Sequence, residues 1–220
     1  MKDMNRGAKI LICVLVAGIL VIGIQQLVSR GPSADKKTAD KFSKEINYFN
    51  ELTKKVELLK SGELVPVRFN SLEIEIDSYF QQELITDQAA ASLKTSVNNI
   101  FAQRVYRQCE HFLKSANGNN GGNLALLNSL QSKIGTNSTI NNLRTQIHWS
   151  DYYTKTLPLK VNAFVASGID NYTEAEYQLL KNEAQNMPGL SPLYSKSAKF
   201  SAISDALMKK LFQFNYEYNN

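Results

Sequence analysis

The chain has 220 residues, 43% of them hydrophobic and 20% charged, with a net charge of +5 at pH 7. That is enough for one domain, or two small ones, with a real core, and the composition is not that of an extended disordered chain. Residues 1–30 hold four Lys/Arg against one Asp, leaving 21 basic and 19 acidic residues beyond, so the bulk of the chain lacks the basic footprint of a nucleic-acid binder.

The first predicted element is a membrane span. Ile10 to Ile24 is an unbroken apolar run, and Gln25-Gln26-Leu27-Val28 extends it to Arg30. Twenty residues of helix rise roughly 30 Å, the thickness of a bilayer's hydrocarbon core. A cleaved signal peptide is the rival, but no small-x-small triplet closes the core. Residues 10–29 are therefore expected to be an uncleaved single-pass anchor. Lys/Arg flank both ends of the span and do not choose a side. The layout does: residues 1–9 form a short cytoplasmic tail, and the long polar remainder translocates. The expected location is the inner (cytoplasmic) membrane with an extracytoplasmic C-terminal domain, periplasmic in a bacterium.

Gly31-Pro32 breaks the span from a membrane-proximal segment, 31–62, in which a helix runs from about Ala34 to Ser61 and stops at Gly62. Phe42, Ile46, Phe49, Thr53 and Val56 follow 4-3-4-3 spacing, with Leu52 and Leu59 beside them. This stripe either packs on its own domain or self-associates as a short coiled coil through Phe42, Ile46, Phe49 and Val56. An extracytoplasmic helical domain then covers 63–220. In its first stretch, 63–77, Leu72, Ile74 and Ile76 alternate with Glu73, Glu75 and Asp77, which fits a small β-hairpin. Asn70 and Glu73 fit equally a capping box for a helix using Phe69, Leu72, Ile76 and Phe80. The acids read as a solvated face.

From Thr86 or Asp87 to about Lys114 the spacing predicts a long helix with Leu93, Val97, Phe101, Val105, Cys109 and Phe112 on one face. The Gly/Asn run 115–122 is a loop without the Lys and Ser/Thr of a phosphate-binding loop. Further helices are expected at 123–134, from Asn137 or Ser138 to a break at Pro158, from Thr156 to Gly168, and from the Thr173/Glu176 capping box to the stretch before Met187. Ser191-Pro192 opens the last, which carries Phe200, Ile203, Leu207, Leu211 and Phe214. The chain is thus mainly α, six or seven helices after the anchor.

At the C-terminus Phe212, Phe214, Tyr216 and Tyr218 alternate with polar residues, a strand period following a helical one. Either a short C-terminal strand forms here or the helix continues with its tyrosines outward, and these four aromatics are the candidate partner-binding residues.

Chemistry is sparse. Cys109 and His111 are two apart on a helix and point away from each other. His148 and Asp151 share a face and could orient one another or begin a metal site, but no third ligand is marked, so no metal or other cofactor is expected. Cys13 and Cys109 do not pair, and Cys109 reads as a buried apolar residue. The expectation is a non-enzymatic, membrane-anchored interaction or scaffold protein whose partners are other envelope proteins or itself. Its layout is similar to the small single-span subunits of envelope-spanning secretion or division machines. An extracytoplasmic ligand-binding bundle is the alternative, and a membrane-tethered hydrolase or metal enzyme using His148 and Asp151 a lesser one.

Overall fold

The computed structural model of the chain describes residues 35–115, 121–186 and 197–220. All of the regular structure there is helical, with no strand among the described residues: α1 Asp35–Leu58, α2 Pro66–Gln81, α3 Asp87–Ser115, α4 Gly121–Ile134, α5 Ser138–Asp151, α6 Leu157–Ala166, α7 Glu174–Asn186 and α8 Ala198–Asn219. The predicted tail 1–9 and span 10–29 lie outside the described residues, as do Ser191-Pro192. Among the described residues no helix is long and apolar enough to cross a membrane.

The described residues form two compact units, one of 35–59 with Asn70–Val97, the other of Lys60–Phe69 with the chain from Asn98 onward. In the first, Leu52 and Val56 of α1 and Leu59 just after it are buried together with Leu72 and Ile76 of α2 and Ala89, Ala90, Leu93 and Val97 of α3. Lys55 bridges two helices, 2.9 Å from Glu51 and 2.5 Å from Glu75. The Tyr79 hydroxyl donates to Glu51 at 3.4 Å, and Tyr48 lies against the Tyr79 ring. Leu52 and Leu59, expected beside the α1 stripe, are its buried centre. Phe42, Ile46 and Phe49 are half-buried on the flank.

Of the two readings open at 63–77, hairpin and helix, the helix forms, as α2. Pro66 takes the first helical position, where its missing N–H costs nothing. Leu72 and Ile76, one turn apart, are buried, while Ile74 between them is 70% exposed. Strand alternation would have buried all three on one side; the helix leaves one out. The start also precedes the Asn70/Glu73 box. Thr86 caps the next helix, accepting from the Ala89 N–H at 3.2 Å.

In the second unit Phe69 packs on Phe101 at 4.8 Å, and Val105, Cys109 and Leu113 continue that buried line along α3. Helices α4 and α5 form an antiparallel hairpin. Gly135 ends α4 with φ +77°, a backbone state that side-chain-bearing residues rarely adopt. Asn137 then caps α5, its Oδ1 accepting from the Ile140 N–H at 2.9 Å and its Nδ2 donating to the Tyr106 hydroxyl at 3.1 Å. Arg144 ties the hairpin by donating to Asn128 and Gln131.

The break expected at Pro158 does not occur. Residues 151, 152, 156 and 157 all keep right-handed helical backbone, and Tyr152–Thr156 forms a π turn in which the Leu157 N–H reaches back to the Tyr152 carbonyl. A proline ring clashes with the carbonyl four residues before it, here that of Thr154. Widening the turn by one residue is a known way for a helix to absorb such a local defect. The last helix begins at Ala198 after Ser197, whose hydroxyl donates to the Lys114 carbonyl at 2.8 Å. It packs on α7 and α6, with the buried Ser204 hydroxyl donating to the Ala184 carbonyl and Lys210 to Asn162.

Candidate interaction surface

The C-terminal strand is also absent, because α8 continues through Asn219. Its buried side is Phe200, Ser204, Leu207, Leu211 and Phe214, a 4-3-4-3 series that brings every member to one face. Continuing that spacing past Phe214 reaches Tyr218. The two remaining aromatics, Phe212 and Tyr216, fall outside it. The alternation therefore splits between faces: Phe214 is core, Tyr218 edges it, and Phe212 and Tyr216 face solvent at 49% and 69% exposure.

What fixes this end of the helix is Tyr172, on the turn between α6 and α7. Its ring lies 3.8 Å from Tyr218 in a stack, and 5.8 Å from Phe164, 6.0 Å from Phe214 and 6.0 Å from Tyr177. Phe164 and Phe214 meet edge-on at 5.2 Å. The Tyr172 hydroxyl is 2.6 Å from Glu174 Oε2 and 2.7 Å from Asn215 Oδ1, so its single proton serves one acceptor at a time. Burial, followed by the hydrogen bond to Glu174, pushes this phenol well above the usual tyrosine range. The same hydrogen bond holds the Glu174 carboxyl below its ordinary value.

On the outward side the Lys181 ammonium lies 5.5 Å from the Phe212 ring centroid and 5.7 Å from that of Tyr177, cation–π distances to both. Lys209 and Asp205 are exposed one and two turns before Phe212, and with Phe212 and Tyr216 they form a 4-3-4 stripe. Tyr172, Lys181, Asp205 and Lys209 were not singled out by sequence. Extending the helical period through residue 219 is the signal that finds the last two.

His148 is exposed, and Asp151 engages Lys155 at 2.8 Å. Trp149 stacks on Tyr153 at 5.8 Å, and the Tyr152 hydroxyl lies 2.5 Å from Glu183 and accepts from Lys160 at 2.9 Å. His111 and Glu110 are exposed while Cys109 is fully buried. Burial, helped by Glu110, raises the Cys109 thiol to about 12. Among the described residues no group of three His, Cys, Asp or Glu could hold a metal ion.

Fold and surface together define an all-α protein with an aromatic-edged helix face. Comparison with known protein families, with curated proteins and with solved structures finds no match.

Proposed function

We propose that this chain is a membrane-anchored interaction or scaffold protein, held by the apolar segment 10–29, with its helical domain outside the cytoplasm as a small subunit of an envelope-spanning assembly of the secretion or division type. The observation that carries the interaction reading is the outward pair Phe212 and Tyr216, two large aromatics one turn apart on α8. Their backbone is held by the Tyr172–Phe214–Tyr218 cluster beneath them. Aromatic side chains are among those most enriched at the energetic centres of protein interfaces.

The test is affinity purification of the full chain in mild detergent, as wild type and as Phe212→Ser/Tyr216→Ser. This pair is preferable to deleting the C-terminal residues, because deletion would also remove Phe214 from the core. A stable partner, another envelope protein or a second copy, is expected with the wild type and lost in the variant. No partner in either case would sink the scaffold reading. Location is checked by fractionation: protein released by carbonate wash is not an integral anchor.

A further inference from the structure

We propose that the outward face of α8 pairs with α8 of a second copy, antiparallel and two-fold symmetric, through Asp205, Lys209, Phe212 and Tyr216. This rests on the reading of that face as an interaction surface and names its occupant. All four side chains are exposed, on one stripe of a helix whose other side is packed. Their 4-3-4 spacing is the same in either chain direction. When the helix is laid against a reversed copy of itself, Asp205 meets Tyr216 of the partner and Lys209 meets Phe212 of the partner, each pairing occurring twice. A two-fold contact must be self-complementary in this way.

Both pairings are chemically sound. A carboxylate accepts from a phenol, as Glu174 does from Tyr172 within one chain. An ammonium sits over an aromatic ring, as Lys181 does over Phe212. A ring has two faces, so Lys181 on one leaves the other for the second copy's lysine. Parallel in-register pairing would instead set Asp205 against Asp205 and Lys209 against Lys209, which like-charge repulsion opposes. The contact is one helix wide and smaller than most stable dimer interfaces. Tethering to one membrane would offset this by raising the effective concentration of one copy near another.

The pairing is tested by disulfide trapping in the full chain with Cys13→Ser, leaving the buried Cys109 in place. Two differently tagged chains are co-expressed, one with Lys209→Cys and the other with Phe212→Cys, and oxidised in the native membrane or cell extract. The mixed disulfide should exceed by about tenfold or more that formed when the second chain carries Ala202→Cys instead, since an antiparallel register places that residue beyond bridging distance. Equal yields for the two partners, a dominant disulfide between two Lys209→Cys chains, or no disulfide overturns the proposal. If purification captures a different protein through Phe212 and Tyr216 while trapping fails, this inference falls and the interaction reading stands. If both fail, both fall.

Discussion

Tyr218 stacks on Tyr172 with ring centroids 3.8 Å apart and planes 18° from parallel. The contact joins the last turn of the chain to the turn between α6 and α7, and so decides where the exposed pair Phe212 and Tyr216 points. Tyr218→Ala is expected to cost about 1 kcal/mol, the worth of one aromatic pair. Tyr172→Ala, which also strips contacts from Phe164, Phe214 and Tyr177, is expected to cost about 3 kcal/mol. Urea unfolding measures both. Equal costs would mean that Tyr172 is not the hub.

Ser150 closes the buried line Ile140, Leu143, Ile147 along α5, and its hydroxyl is fully buried with no hydrogen-bond partner among the described residues. Desolvating a polar group without compensation is unfavourable, so Ser150→Ala should stabilise by about 1 kcal/mol. A higher urea midpoint at unchanged slope is the expected result, and a lower midpoint refutes it.

The Cys109 thiol, buried and raised to about 12, stays protonated throughout the neutral range. In the Cys13→Ser variant a thiol reagent at pH 8 should label Cys109 only as fast as the unit opens, with rapid labelling in denaturant. Fast labelling of the native protein would show an exposed thiolate.

Lys55 between Glu51 and Glu75 makes stability depend on pH at both ends. The hydrogen bond and charge of Lys55 depress Glu51, so its contribution is present above the ordinary carboxylate range and is lost as pH falls through the lowered folded value. The hydrogen bonds from Lys55 to Glu75 and Glu51 raise the lysine, so that contribution is fully present below the ordinary lysine range and is lost as pH rises through the raised value. These groups are partly exposed to solvent, which screens the pair and keeps the effect small. Urea midpoints followed into acid should fall less steeply for Glu51→Gln than for wild type.

Gly135→Ala places a side chain at φ +77° and should destabilise by about 1 kcal/mol even though the added methyl meets open space. A neutral result would show that the backbone there relaxes.

Helical periodicity was legible wherever it stood alone. The expected Thr86 start of α3 is the residue whose hydroxyl caps it, and the predicted face through Leu93, Val97, Phe101, Val105 and Cys109 is the buried one. One departure, at Pro158, and two places where strand and helix were both open, Leu72–Ile76 and Phe212–Tyr218, share one cause. At Leu72–Ile76 and at Phe212–Tyr218 apolar residues recur every second position, which suits a strand locally, and at Pro158 a missing N–H suits a break. Each is a short local signal, and in each the packing of neighbouring helices and the gain from continuous backbone hydrogen bonding decided for helix.

By itself, then, the sequence determined that this is a helical protein with an apolar leading segment and an aromatic end, because composition and a 3.6-residue period are properties of one chain segment at a time. Only the tertiary structure decided which of two apolar residues two positions apart goes inside: Ile76 and not Ile74, Phe214 and not Phe212. A helix can bury one face, and which face that is depends on the position of Tyr172, Phe164 and their like on other elements, far away in sequence. The outward aromatics at the end of α8 are what that choice leaves over.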